Sequence, residues 1–272
     1  MISLFSVGLL VSLGELFVSS AIHLLYGFYI FSSAVAADLS QALSEFAKPT
    51  SINAAASAVR ELREKTARWV VVLRGAEKKD EHVLVPDLGS LTSIHDRARE
   101  LFYYLKGGRV DYGEEHSRIC GHSQFGRVYD RGHYLQWDEH HPIHFVGHSA
   151  GRRSHGLRGY DDTSEDWVLS VTSLSGALNG TTRTYLDGMQ PTDGRSMKSI
   201  CLLQLCRVGV IFYDWLDFKW LKNYYDFGFD HFEMGWRKQG ISGLIDLLLG
   251  NSGPFASGDW ILPDLTIQGS LN

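Results

Sequence analysis

The chain has 272 residues, enough for one large domain or two smaller ones, and 44% of them are hydrophobic, which excludes global disorder. Its 26 basic and 31 acidic residues give a net charge of −5, so a protein that binds nucleic acid through phosphate contacts is not expected. Three cysteines without a C-x-x-C pair exclude a disulfide framework and a zinc ribbon.

The first predicted element is an apolar segment over residues 16–36, which contains no Asp, Glu, Lys or Arg. A helix of about 21 residues spans the ~30 Å hydrocarbon core of a bilayer. We therefore predict a membrane anchor within residues 1–37 and a membrane-associated protein, with the secretory pathway as one location. A signal peptide cleaved after Ala34-Val35-Ala36 and a buried hairpin are the alternatives.

Residues 38–68 are predicted to form a polar linker that holds one helix. Pro49 interrupts the chain, and residues 54–67 are rich in helix-forming side chains with exposed Arg and Glu. The apolar face of this helix is thin, which is typical of a spacer.

From Trp69 onward, short apolar runs alternate with helical patterns, and we assign residues 69–272 to one partial α/β domain. A helix with one apolar face is predicted at residues 94–105. The predicted strands cover residues 69–73, 82–85, 143–146 and 167–174. Strands and helices in this order are typical of a largely parallel sheet.

An aromatic-rich stretch, at about residues 195–250, follows the last of these strands. Interleaved aspartates make it a poor platform for stacking nucleic-acid bases, because carboxylates repel phosphate. One interpretation is a cap over the catalytic face that offers apolar surface to acyl chains. The other is ordinary hydrophobic core.

The sequence Gly147-His148-Ser149-Ala150-Gly151 follows a predicted strand and has the G-x-S-x-G pattern. A nucleophilic serine at the tip of a tight strand-to-helix turn requires small flanking residues. The pattern alone is weak, but the preceding strand favours a nucleophile elbow over a plain Gly-rich turn. Ser149 is therefore the candidate nucleophile, and the backbone N–H of Ala150 is the candidate donor to an oxyanion.

His116 and His122 flank Cys120 and Gly121 in a stretch rich in side chains that bind metals. Their spacing does not place both imidazoles on one helix face, so they converge only through a turn, which Gly121 permits. Spacing alone favours solvated surface histidines.

Several segments in this order make the chain resemble the plant lipase-like α/β-hydrolases, which are related to the zinc-containing thermostable bacterial lipases. The likeness covers roughly residues 75–268. The segments are VLVPDLGS at 83–90, IHDRARE at 94–100, VDYG at 110–113, FGR at 125–127, the serine motif and YDFGFD at 225–230.

The resemblance implies an α/β-hydrolase-like, mostly parallel sheet with a zinc-tied helical cap, incomplete at the C-terminus, together with the N-terminal apolar helix. The implied ligands of a structural Zn²⁺ are Asp96, His116, His122 and Asp230. Two carboxylates and two imidazoles suit a closed tetrahedral site, which leaves Cys120 a bystander. The implied nucleophile is Ser149, and the implied substrates are lipid esters such as acylglycerols.

The chain also departs from this family. The family's oxyanion loop is not recognisable at residues 74–77, the helix after the elbow is shortened, and the family's acid and histidine lie beyond the equivalent of Gly269. After Ser149 the histidines are His155 and His231, and His231 is the candidate base only in a rearranged site. We therefore expect a lipase-type carboxylic ester hydrolase with little or no activity. The alternative is a catalytically dead, membrane-associated binding or scaffold protein.

Overall fold

The structure is a computed structural model that describes residues 11–18, 20–21, 25, 69–72, 83–148, 163–174, 176–222 and 226–271. The chain divides into two units, which are Met1–Thr66 with Ile200–Leu202 and Ala67–Ser199 with Leu203–Asn272. The predicted domain boundaries at residues 37 and 68 stay predictions.

In the N-terminal unit, the described residues 11–18, 20–21 and 25 are helical. Among the residues that the structure describes, no helix is long and apolar enough to cross a membrane. The predicted membrane-associated localisation is therefore wrong, since a spanning helix needs about 20 consecutive apolar residues and the described helical residues of this segment do not provide one. The rest of this segment and the predicted linker at 38–68 lie outside the described residues.

The described strands form two sheets. They are β1 (Trp69–Val72), β2 (Val83–Leu84), β3 (Gly108–Asp111), β4 (Phe125–Tyr129), β5 (Ile143–His148) and β6 (Val168–Leu174). In the larger sheet the order is β2-β1-β5-β6 and all neighbours are parallel. The predicted parallel sheet is thus confirmed, and β5 is one of its interior strands.

The second sheet is an antiparallel pair of β3 and β4. The sequence analysis did not predict this pair, because neither strand shows an apolar run or a strict alternation of apolar and polar residues. β3 ends at Asp111 and β4 begins at Phe125, so the two strands bracket the stretch that carries both predicted histidines. The pair therefore supports the candidate site described below.

Helices connect and follow these strands. They are α1 (Ile94–Lys106), α2 (Glu114–Cys120), α3 (Arg183–Asp187), α4 (Leu202–Leu216), α5 (Lys219–Lys222), α6 (Trp236–Leu249), α7 (Pro254–Ser257) and α8 (Ile261–Leu265). Short 3-10 turns cover Glu165–Trp167, Asp230–Phe232 and Gly269–Leu271. The predicted helix at 94–105 corresponds closely to α1, because its apolar face has the helical period.

The helix α1 packs on β5 and forms a hydrophobic core with it. Leu101 and Leu105 on the helix are buried together with Ile143 and Phe145 of the strand. At the start of the helix, the hydroxyl of Ser93 accepts the backbone N–H of Asp96 at 3.2 Å. This cap fixes the first turn of α1 and with it the position of the Asp96 carboxylate.

Candidate metal centre

Four metal-competent side chains meet beside the first turn of α1, and they come from three separate parts of the chain. They are Asp96, His116, His122 and Asp259. Asp96 lies on α1 and His116 on α2, whereas Asp259 follows α7. Tertiary folding, rather than local spacing, therefore assembles the cluster.

A left-handed turn brings the two histidines together. Gly121 ends α2 with a φ of 73° and its N–H bonds back to the carbonyl of Ser117. Residues with side chains rarely adopt this conformation, which glycine adopts freely. The turn carries His122 back toward His116, so the convergence that the sequence permitted through Gly121 is present in the structure.

The distances between the side-chain atoms of this cluster fit a bound metal ion. His116 Nε2 lies 3.3 Å from both Asp96 Oδ1 and Asp259 Oδ2, and His122 Nε2 lies 3.2 Å from the same Asp259 oxygen. Ligand atoms around a tetrahedral zinc with bonds of ~2.0 Å lie about 3.3 Å apart. The observed separations match that value.

The same four atoms are buried and make no hydrogen bond. Buried polar atoms without a hydrogen bond are costly, and each one in a native protein needs an explanation. The atoms of Asp96, His116, His122 and Asp259 are close together but not aligned as donor and acceptor pairs. A metal ion bound by all four atoms would explain why they lie close together without forming hydrogen bonds.

The electrostatics of the cluster also favour a cation. Burial opposes a charge on His116, but the carboxylates of Asp259 and Asp96 outweigh it and raise the pKa of His116 to about 12. Burial likewise opposes a charge on His122, whereas Asp259 and other neighbours raise its pKa to about 9. The two buried carboxylates therefore favour a positive charge beside them. A divalent ion would supply this charge, and the two imidazoles would then lose their protons.

His231 contacts the cluster through the second carboxylate oxygen of Asp96. Its Nε2 lies 3.0 Å from Asp96 Oδ2, and the two side chains are 1% and 0% exposed. If this nitrogen carries the proton, it donates to one oxygen of Asp96 and leaves the other, Oδ1, facing His116. Carboxylate and histidine ligands of metals are commonly held by such outer contacts. His231, the sequence-predicted candidate base, is therefore engaged with Asp96.

Asp230 does not belong to the cluster, which corrects the ligand set that the resemblance implied. Its side chain is 52% exposed, and its Oδ1 lies 3.4 Å from Lys222 Nζ. The 3-10 turn Asp230–Phe232 buries His231 but leaves Asp230 at the surface. Asp259 provides the fourth side chain instead. Sequence reasoning missed Asp259 because it follows a glycine far from the other ligands, without recognisable ligand spacing.

The predicted nucleophile lies just beyond a described strand. β5 ends at His148, and Ser149 is the next residue of the chain. Ser149 itself, Ala150 and His155 lie outside the described residues. The strand that leads to them, β5, is an interior strand of the parallel sheet. In α/β-hydrolases the nucleophilic serine stands in the turn directly after a strand of the sheet.

The parallel sheet, with α1 packed on its interior strand β5, is consistent with a hydrolase-like fold. Residues 69–184 match the family described as Lipase-like, C-terminal domain. The chain is 32% identical over 209 residues to the lipase of Staphylococcus hyicus, a match that covers 67% of this chain and 30% of that protein. These comparisons support a relationship to the bacterial lipase family.

Further comparisons agree with this relationship. A lipase of Staphylococcus epidermidis is 48% identical over 125 residues, which cover 37% of this chain and 18% of that protein. The chain therefore matches less than a third of the length of these two relatives.

Solved structures show the same fold. The crystal structure of Staphylococcus hyicus lipase matches with a TM-score of 0.53 at 24% identity, covering 75% of this chain and 62% of that chain. The structure of EstA from Clostridium botulinum matches with a TM-score of 0.50 at 23% identity, covering 75% and 55%. The hydrolase-like fold expected from the sequence is thereby supported.

Replacing His231 tests its outer contact with Asp96. We expect His231→Ala to weaken Zn²⁺ binding by about 10–100-fold, the usual effect of removing an outer-shell partner. His231→Gln retains an N–H donor of similar reach and is expected to recover most of the affinity. Competition with a chromophoric chelator measures both values. Equal losses in both variants would contradict a role through this hydrogen bond.

Proposed function

We propose that this chain is a lipase-type hydrolase domain that acts on carboxylic esters of lipids, with Ser149 as the nucleophile. The observation that carries the proposal is the interior parallel strand β5, which leads directly into the GHSAG sequence in a chain related to lipases. In this chemistry the serine oxygen attacks the ester carbonyl, and the backbone N–H of Ala150 donates to the oxyanion. The sequence motifs favour the plant branch of these hydrolases.

We further propose one structural Zn²⁺, held by Asp96, His116, His122 and Asp259. The supporting observation is the set of four buried, unbonded donor atoms at 3.2–3.3 Å. Imidazole and carboxylate together are suitable zinc ligands without any cysteine. When bound, the ion supplies a cross-link among α1, α2 and the segment after α7, so its binding energy contributes to folding.

A second candidate function is a non-catalytic binding or scaffold module with the same fold. The observation that favours it is the contact of His231 with Asp96, because a serine hydroxyl needs an adjacent base to become a nucleophile. Because His231 is buried and contacts Asp96, it is a poor candidate for the base that would activate Ser149.

Ester hydrolysis by the 272-residue chain distinguishes the two candidates. We expect turnover of a short-chain nitrophenyl ester far below the common enzyme range of about 1–10³ per second, since the one histidine after Ser149 among the described residues, His231, contacts Asp96. The part of this activity that uses Ser149 as nucleophile is expected to disappear in Ser149→Ala and to remain in the control Ser196→Ala, an exposed turn residue.

Three outcomes decide between the candidates. Activity that survives Ser149→Ala contradicts the assignment of the nucleophile. Turnover within the common range that His231→Ala abolishes contradicts the engagement of His231 with Asp96. No detectable activity in the unmodified chain supports the non-catalytic module.

A further inference from the structure

Cys120 lies next to the metal centre and is not one of the four ligands. It is the last residue of α2 and follows His116 by one helical turn, so both side chains lie on the same face. Its Sγ is 4.0 Å from His116 Nδ1, the ring nitrogen opposite to the one that faces Asp96 and Asp259. The thiol is only partly buried, so ions and reagents in solvent reach it.

The thiol belongs to a second possible donor set. Ligand atoms of Cys120, His116, His122 and Asp259 all lie within 4.8 Å of one another. Ligands of a tetrahedral ion with bonds of about 2.3 Å lie about 3.8 Å apart, so side-chain movements of about 1 Å bring the four donors to one ion. His122 Nε2 and Asp259 Oδ2 are buried and have no hydrogen bond, which makes them available to such an ion.

We propose that this centre binds a soft divalent ion such as Cd²⁺ through Cys120, His116, His122 and Asp259, with the thiolate in place of the Asp96 carboxylate. The inference rests on the metal centre proposed above. Thiolates favour soft ions, whereas the preformed nitrogen and oxygen set suits Zn²⁺. The net charge of the donor set is unchanged, because one anion replaces another, and the thiol proton passes to solvent. Asp96 keeps its contact with His231.

Cadmium titration of the full 272-residue chain tests this proposal. Equilibrium dialysis measures bound Cd²⁺, and an ultraviolet difference spectrum detects the thiolate-to-cadmium charge-transfer band. We expect one Cd²⁺ per chain with a one-thiolate band. Cys120→Ser should abolish the band and weaken Cd²⁺ binding at least about tenfold, while Zn²⁺ affinity changes little. Cys206→Ser, at the exposed cysteine of α4, is the matched control and should keep the band.

Asp96→Asn adds a complementary test, since it should weaken Zn²⁺ binding and leave the cadmium band in place. Bound Cd²⁺ without a charge-transfer band, or a band that survives Cys120→Ser, would overturn the inference and leave the zinc site standing. Failure of the unmodified chain to bind either Cd²⁺ or Zn²⁺ would contradict both the inference and the proposed metal centre.

Discussion

Asp259→Ala is expected to weaken zinc binding by at least about 100-fold, whereas Asp230→Ala is expected to leave it unchanged. Asp259 Oδ2 is the atom that lies 3.2–3.3 Å from both His116 Nε2 and His122 Nε2, so its removal takes one ligand and half of the site's negative charge. Asp230 is exposed and pairs with Lys222. Competition with a chromophoric chelator measures both affinities.

Thermal unfolding provides the control for this comparison. A chelator should lower the Tm of the unmodified chain and of Asp230→Ala, since both lose a bound ion, but should not change the Tm of Asp259→Ala. Zinc affinity should also fall on acidification, because protons compete for His116 and His122. Loss of binding in Asp230→Ala together with normal binding in Asp259→Ala would restore the ligand set that the resemblance implied.

Arg127→Met is expected to destabilise the fold by about 3 kcal/mol at neutral pH, because it leaves a buried carboxylate without its cation. Glu100 is fully buried; its oxygens accept the N–H of Gly89 at 2.7 Å and the hydroxyl of Tyr112 at 3.2 Å. Arg127 Nε lies 3.7 Å from Glu100 Oε1. Arg127 keeps some solvent contact, so we use the lower end of the usual 3–5 kcal/mol range.

The pH dependence of this loss identifies Glu100 as its cause. Burial raises the pKa of Glu100 above its usual value, although Arg127 opposes that rise. A carboxyl with a raised pKa in the folded state costs stability as pH increases above the unfolded pKa of about 4.3, and removing Arg127 enlarges this cost. The destabilisation should therefore shrink as Glu100 protonates in acid. Urea unfolding across a pH series measures it.

The double variant Glu100→Gln with Arg127→Met serves as the matched control. It removes the buried charge as well as its partner, so it should lose less stability than the sum of the two single variants. Arg127 also contacts another carboxylate, with its Nη2 at 3.3 Å from Asp226 Oδ2. A loss in Arg127→Met that does not vary with pH, or additive losses in the double variant, would show that Arg127 acts through packing or through Asp226 instead.

The features predicted correctly from the sequence are those that depend on local patterns of apolar and polar residues. The run that forms β1 is continuous and rich in β-branched residues, β5 and β6 each contain several apolar residues within a short segment, and α1 has a clear apolar face. The antiparallel pair of β3 and β4 has no such pattern. Its stability depends on contacts with other parts of the chain, which a single sequence does not reveal.

Three of the four side chains of the candidate metal centre were expected from the sequence, and the fourth was not. Asp96, His116 and His122 lie in recognisable segments, and Gly121 permitted the turn between the histidines. The fourth side chain of the candidate centre depends on which of several aspartates the fold brings to α1. The resemblance implied Asp230, but a 3-10 turn exposes that residue and directs His231 inward.

Zinc K-edge X-ray absorption of the zinc-loaded chain tests the central claim most directly. We predict one Zn²⁺ per chain with four nitrogen or oxygen neighbours at about 2.0 Å, the outer-shell scattering of two imidazoles and no sulfur at about 2.3 Å. A chain that retains no zinc after purification without chelator, or a zinc ion with a shell of six oxygens, would contradict the account.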